Sequence, residues 1–176
     1  MPPVLFLTDP ERTKSPEVVI DTLPRGFGVI YRHYGAPDRV SRAITLRRAT
    51  RKRGLVLLVS ADPQLAKAIG AEGVHWPEAR LSEMRKWHGC FAIQTASAHS
   101  RRAVRAAEKA GADAALVSAI FPSKSPSAGR PIGPLTFARL AGSTRLPLFG
   151  LGGIHIGNAQ QISRYAGLAA IDGLIK

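Results

Sequence analysis

Short apolar runs alternate along the chain with segments in which apolar residues recur every three to four positions. The runs show little polar alternation, which is typical of strands buried on both faces of a parallel sheet. The segments between them have the period of amphipathic helices. The predicted strands are Val4–Thr8, Gly26–Tyr31, Leu55–Val59, Gly73–Trp76, Phe91–Thr95, Ala114–Ser118, Pro147–Gly150 and Leu168–Ile171.

Several helix ends carry recognisable capping signals. Asp62, which precedes a proline, and Ser100 are predicted N-caps, because a short polar side chain can accept a hydrogen bond from a free backbone N–H. Gly70, Gly111 and Gly167 each precede a strand. We expect these glycines to adopt the positive φ at which many helices end.

Eight strands alternating with helices predict a compact α/β fold, the (β/α)8 TIM barrel, and the same pattern also permits a doubly wound open sheet. The 176 residues are expected to form a single domain, 1–176. A chain of 176 residues is short for a (β/α)8 barrel. The sequence accounts for the difference by a short first helix, Pro16–Leu23, and a missing eighth helix. We therefore expect barrel wall to be exposed beside the last strand, unless a long loop or a second subunit in a homodimer covers it.

The charge of the chain is strongly positive, with 25 Lys and Arg against 12 Asp and Glu, a net charge of +13. This balance indicates an anionic partner, which could be nucleic acid, an acidic surface or a phosphorylated small molecule. The predicted helix Arg39–Lys52 has apolar residues at Val40, Ala43, Ile44 and Ala49 and an arginine-rich outer face. Only 6% of residues are aromatic, so there are few surfaces for base stacking and nucleic-acid binding is disfavoured.

Cys90 is the only cysteine, so we expect neither an internal disulfide nor a thiolate metal site. No apolar run approaches the roughly 18 residues of a membrane span. No basic region precedes the first apolar run, as a secretory signal would require. We therefore expect a cytoplasmic protein without membrane association.

In a (β/α)8 barrel, ligands bind at the carboxyl ends of the strands. His75 ends the fourth predicted strand and His99 follows the fifth. We interpret both as candidate ligand contacts or acid–base groups. The alternative for each is a hydrogen-bonded structural histidine, the commoner role of an isolated histidine.

Two loops predict a site for a phosphorylated ligand. After the seventh strand, Gly152 and Gly153 precede a helix expected to begin near Asn158, a combination that can expose backbone N–H groups to an anion. A tight turn that requires glycine is an equally good explanation. The loop after the sixth strand is a candidate lid, or else an ordinary solvated loop. Its candidate ligand contacts are Ser123, Lys124, Ser125 and Arg130.

Four segments, in order, resemble the thiamine-phosphate synthase family, which includes the TenI-like thiazole tautomerases. They are AIGAEGVHW at 68–76, SAH at 97–99, AGADAALVSAIFPSKS at 110–125 and LGGIHIGNAQQI at 151–162. The resemblance extends over nearly the whole chain and implies a barrel that binds thiazole phosphate or thiamine phosphate. In this family the synthase joins a pyrimidine pyrophosphate to a thiazole phosphate with Mg²⁺, and the tautomerase aromatises a thiazole carboxylate phosphate.

The resemblance also implies roles for individual residues. Gly152 and Gly153 match the phosphate-binding glycine pair, and Asn158 matches an asparagine that follows it. The other matching positions are Arg32, facing pyrophosphate; His75, of a Gly-Val-His motif; Ser97 and His99, of a Ser-x-His motif; and Ser123 and Ser125, in place of loop threonines.

Other positions depart from the family pattern. Ala61 and Arg80 stand where the synthase has its two Mg²⁺-binding aspartates, so Mg²⁺ binding would require Asp62, Glu78 or Asp9 to replace them. Asp172 replaces a serine that would contact phosphate. We therefore expect a preserved phosphate site and doubtful Mg²⁺-dependent synthase activity. The alternatives are a non-catalytic binding or regulatory barrel and, less favoured, a nucleic-acid-binding protein.

Overall fold

Eight parallel strands pair in chain order, and the last pairs with the first, so the sheet closes into a barrel. The computed structural model describes residues 1–123, 125 and 129–172. The strands are β1 Val4–Leu7, β2 Gly28–Tyr31, β3 Val56–Ser60, β4 Gly73–Trp76, β5 Ile93–Ala98, β6 Ala114–Ser118, β7 Leu148–Leu151 and β8 Gly167–Ala170. The predicted barrel is therefore confirmed, and the open-sheet alternative is wrong.

A helix follows each strand from β1 to β7. These are α1 Pro16–Thr22, α2 Arg39–Arg53, α3 Pro63–Ile69, α4 Leu81–Met84, α5 Arg101–Ala110, α6 Pro134–Ala141 and α7 Gln160–Ser163. Two short 3₁₀ turns, Glu78–Arg80 and Arg85–Trp87, flank α4. Within residues 1–123, 125 and 129–172, no helix has the length and apolar character needed to cross a membrane.

The barrel interior is apolar near the amino ends of the strands and polar near their carboxyl ends. Leu5, Leu116 and Phe149 belong to one buried apolar cluster inside the barrel. Nearer the carboxyl ends, the side chains of Ser60 and His75 are buried. Buried polar groups need hydrogen-bond partners, so this polar layer restricts which side chains can lie beneath the mouth of the barrel.

Most predicted helix caps are confirmed. Asp62 Oδ1 accepts a hydrogen bond from the Leu65 N–H at 2.9 Å, and Ser100 Oγ accepts one from the Ala103 N–H at 3.1 Å. Gly70 and Gly111 end α3 and α5 with φ values of 66° and 87°. These local signals therefore fixed two helices without reference to the rest of the fold.

Gly167 was predicted wrongly as a helix cap. The preceding helix ends at Ser163, and Gly167 is the first residue of β8, outside the set of glycines with positive φ. A Cβ atom on Gly167 would lie 2.3 Å from Cε1 of Phe149, its partner on β7. The glycine is therefore required by a neighbouring aromatic ring and not by a turn.

The outer face of α2 also differs from the prediction. Val40 and Ile44 are 59% and 39% exposed, whereas Ala43, Leu46 and Thr50 are buried. The helix thus packs on the barrel through a narrower stripe than the sequence pattern predicts.

The expected exposure of barrel wall beside β8 is only partial in the described part of the chain. Phe6 on β1 is fully buried in one cluster with Ile20 and Leu23, and Leu168 on β8 is partly buried. The seven-residue helix α1 is thus long enough to cover β1. A homodimer remains a prediction.

The contrast between Gly111 and Gly167 can be tested by substitution. A Cβ at Gly111 meets only an ordinary contact, 3.7 Å from His88 Cδ2. Because asparagine tolerates positive φ better than alanine does, Gly111→Asn should destabilise the protein less than Gly111→Ala. At Gly167 the order should reverse, since Gly167→Ala displaces Phe149 at a cost of about 1–3 kcal/mol and asparagine is larger. Urea unfolding of the four variants measures both orders.

The same order at both positions, with asparagine the better tolerated, would contradict the assignment. It would mean that Gly167 has the positive φ that the sequence predicts.

Candidate ligand-binding site at the carboxyl ends of the strands

A cavity of about 530 Å³ opens at the carboxyl ends of β6, β7 and β8 and reaches the loops after β1 and β2. Its volume is in the range of small-molecule sites. Within residues 1–123, 125 and 129–172, its charged lining consists of the cations Arg12 and Arg32 and the carboxylate Asp172. The arrangement therefore offers an anion two arginines, but it also contains an acid.

The two glycines after β7 line this cavity and lie against the loop after β6. A Cβ on Gly152 would lie 2.9 Å from the Cβ of Ala119, and one on Gly153 would lie 2.3 Å from the Pro122 carbonyl oxygen. Both glycines also have positive φ, 95° and 65°. The requirement for glycine is thus explained by packing, so the glycine pair does not by itself indicate a phosphate.

Asn158 shapes the loop that contains the glycines. Its amide Nδ2 donates to the Gly153 carbonyl at 2.8 Å, and its Oδ1 accepts from the His155 N–H at 2.9 Å. Both groups of the Asn158 amide are therefore occupied by backbone. Among the described residues, the N–H groups of Gly153 and Ile154 have no acceptor. Both residues line the cavity.

The helix after this loop is later and shorter than predicted. It begins at Gln160 instead of near Asn158 and has four residues. A helix of this length contributes only a small dipole. Any anion binding here would therefore depend on the loop N–H groups and not on the helix.

The loop after β6 supplies two serines to the cavity. Ser123 and Ser125 line it, and Ser123 Oγ accepts a hydrogen bond from the Ser125 N–H at 3.2 Å. Arg130 is exposed and does not line the cavity. Lys124 lies outside the described residues. Of the predicted contacts in this loop, the structure thus places Ser123 and Ser125 at the cavity and Arg130 away from it.

Arg32 is held in place by the first strand and its loop. Its backbone N–H donates to Thr8 Oγ1 at 3.0 Å, and its Nη2 lies 3.3 Å from Asp9 Oδ2. Its Nε atom is buried without a partner among the described residues. A buried donor without an acceptor is costly, but this atom has no exposed surface at which a ligand in the cavity could meet it.

Arg12 is a cavity residue that was not predicted from the sequence. This residue follows β1, lines the cavity and forms an ion pair with Asp172. Asp9 Oδ1 accepts the backbone N–H groups of Glu11 and Arg12, which orders the loop. The sequence did contain a signal, a basic residue just beyond the carboxyl end of a predicted strand.

His75 lies inside the barrel and does not line the cavity. Its Nδ1 is 2.9 Å from Thr95 Oγ1, and its Nε2 is 2.9 Å from Ser97 Oγ. Burial, and secondarily the positive charge of Arg32, lower the pKa of His75 to about 3. The imidazole is therefore neutral near pH 7. Ser97, which was also predicted to contact the ligand, has its hydroxyl hydrogen-bonded to His75.

His99 lies on the surface. Its side chain is 55% exposed, and its Nδ1 is 2.8 Å from Glu78 Oε2. It does not line the cavity. The structure therefore does not bring the two candidate histidines together with the glycine loop.

The two positions that the family resemblance assigned to Mg²⁺ ligands contact one another. Arg80 Nη1 donates to the Ala61 carbonyl at 2.5 Å, and the same guanidinium binds both carboxylate oxygens of Glu83. Asp62 caps α3, and Glu78 binds His99. Within the described ranges, no three His, Cys, Asp or Glu residues are grouped as metal ligands would be. These residues therefore do not fit a divalent cation.

Comparison with known proteins identifies the family. The sequence profile of the thiamine monophosphate synthase family matches residues 4–174. The chain belongs to this family. A thiamine-phosphate synthase of Pyrococcus furiosus is 31% identical over 170 residues, which cover 93% of this chain and 80% of that protein.

Several relatives are longer than the matched region. The bifunctional thiamine biosynthesis protein ThiM/ThiE of Symbiobacterium thermophilum is 34% identical over 145 residues, 79% of this chain but only 30% of that protein. A putative thiamine-phosphate synthase 2 of Aquifex aeolicus is 34% identical over 111 residues, which cover 62% of this chain and 59% of that protein.

The fold of this chain is similar to that of a solved structure. A thiamine phosphate pyrophosphorylase from Pyrococcus furiosus superposes with a TM-score of 0.77 at 23% sequence identity, over 96% of this chain and 84% of that one. At this identity the likeness supports the barrel fold and not a particular ligand.

The buried, neutral state of His75 predicts a dependence of stability on pH. The unfolded chain binds a proton on His75 near the ordinary pKa of 6.5, whereas the folded protein does so only near 3. Stability should therefore fall as the pH drops below about 6.5, by about 1.4 kcal/mol per pH unit. His75→Gln should reduce this slope between pH 6.5 and 5, measured by urea unfolding at each pH.

An unchanged slope in His75→Gln would show that His75 is not the group that titrates.

Proposed function

We propose that the protein acts in thiamine biosynthesis by binding thiazole phosphate or thiamine phosphate in the cavity at the carboxyl ends of β6, β7 and β8. The observation that supports this most is the pair of unaccepted N–H groups at Gly153 and Ile154, in a cavity that also contains Arg12 and Arg32. Membership of the thiamine monophosphate synthase family supplies the class of ligand.

The phosphate group would lie against the glycine loop. There the two N–H groups can donate to its oxygens, and charge-assisted bonds of this kind are stronger than neutral ones. Ser123 can add its hydroxyl proton, since its oxygen already accepts from the Ser125 N–H. Arg32, which also lines the cavity, would supply positive charge.

The proposal does not include the Mg²⁺-dependent synthase reaction. Arg80, at one of the two positions assigned to metal ligands, places its guanidinium 2.5 Å from the carbonyl oxygen of Ala61, at the other. A fixed cation at this place repels a divalent ion. The same observation favours the alternative function, a barrel that binds the phosphorylated ligand without turning it over.

Isothermal titration calorimetry with thiamine phosphate and thiazole phosphate, each with and without Mg²⁺, tests the proposal. We expect at least one of the two ligands to bind with one site per chain and with an affinity that Mg²⁺ does not change. Arg32→Gln should weaken this binding at least about ten-fold, because it removes a charge-assisted hydrogen bond.

Arg145→Gln provides the control, since Arg145 is exposed and does not line the cavity; it should bind as the wild type does. Absence of binding by both ligands would contradict the proposed function. Binding only in the presence of Mg²⁺ would contradict the metal-independent site and return the synthase reaction to consideration.

A further inference from the structure

Asp172 places a carboxylate in the wall of a cavity proposed to bind an anion. It lies just after β8 and lines the cavity with Arg12, to which it is paired. Its side chain is 49% exposed and that of Arg12 is 33% exposed. Both charged groups are therefore accessible to a molecule in the cavity.

Among the residues that the structure describes, the two cations that line the cavity are each already paired with an acid. Arg32 lies 3.3 Å from Asp9, and Arg12 binds Asp172 through its Nε at 2.8 Å. A phosphate that draws Arg12 towards itself leaves Asp172 without a partner beside a second negative charge. Because like charges a few ångströms apart repel by about 1 kcal/mol or more even in water, a purely anionic ligand binds here at a disadvantage.

We propose that Asp172 makes the cavity selective for a phosphate monoester that also carries a positive charge. This inference rests on the proposed function and narrows its ligand. A positive group on the ligand takes the place of Arg12 beside Asp172, while Arg12 turns to the phosphate. Arg12 then pairs with the phosphate and the positive group of the ligand pairs with Asp172, so neither residue is left without a partner.

The two ligands of the proposed function differ in this property. The thiazolium ring of thiamine phosphate has a quaternary nitrogen and a permanent positive charge. The ring of thiazole phosphate is neutral near pH 7, so this ligand is purely anionic. The structure therefore favours thiamine phosphate over thiazole phosphate, and it ascribes the difference to Asp172.

A different role for Asp172 would affect both ligands equally. If its carboxylate served only to hold Arg12 and the loop after β1, then removing it would change binding of the two phosphates by the same factor. The ratio of the two dissociation constants therefore separates selection of charge from a structural role.

The experiment measures both dissociation constants by calorimetry for the wild type, Asp172→Asn and Asp21→Asn. Asp172→Asn removes the negative charge with little change of shape. Asp21→Asn changes the net charge equally at an exposed position on α1. Thermal unfolding of each variant confirms that it is folded, and thiamine without phosphate shows how much the cation contributes alone.

We expect the wild type to bind thiamine phosphate about five- to ten-fold more tightly than thiazole phosphate, a size consistent with one partly solvated charge pair. Asp172→Asn should remove most of this preference, mainly by tighter binding of thiazole phosphate, and Asp21→Asn should retain it. An equal affinity of the wild type for both phosphates, or an unchanged ratio in Asp172→Asn, would overturn the inference and leave the proposed function intact. Binding of neither phosphate would overturn both.

Discussion

The contact between the loop after β6 and the loop after β7 determines the shape of the candidate site. The N–H groups of Ile120 and Phe121 donate to the carbonyls of Leu151 and Gly152 at 3.0 and 3.1 Å, so the pairing of β6 and β7 continues past the ends of both strands. This continuation is possible only because Gly152 and Gly153 have no Cβ atoms to meet the opposing backbone. The N–H groups of Gly153 and Ile154 then remain beside the cavity, and Asn158 fixes the direction of the loop from behind.

The mouth of the barrel is divided electrostatically into two halves. On the side of β2, β3 and β4, Arg39 donates to the backbone carbonyls of His33 and Ser60. Arg80 donates to the carbonyl of Ala61, so both guanidinium groups are already hydrogen-bonded within the protein. On the side of β6, β7 and β8, the cavity is open. Beneath both halves, buried His75 stays neutral, since ionising it there would require desolvating a charge near Arg32. The arrangement supports binding in one half. In the other half, the described carboxylates of Asp62, Glu78 and Glu83 already have partners within the protein.

Local sequence signals predicted the elements well because they act over a few residues. The apolar runs gave the eight strands to within a few residues at each end, and Asp62, Ser100, Gly70 and Gly111 were confirmed as caps by contacts within their own helices. Gly167 failed for the opposite reason. Its role depends on Phe149, 18 positions away in the chain, and only the pairing of β7 with β8 brings the two together.

The sequence by itself predicted the eight strands, the family and the glycine pair, since alternating patterns and ordered motifs depend on neighbours along the chain. It left a closed barrel and an open sheet as alternatives, and the pairing of β1 with β8 decided between them. Only the tertiary structure decided which polar residues share the cavity. It placed Ser123, Gly153 and Arg32 together, directed His75 inward and His99 outward, and paired Arg12 with Asp172 across 160 positions. These residues meet because the sheet closes into a barrel, which brings the ends of adjacent strands together. Their separation along the sequence does not indicate which of them will become neighbours.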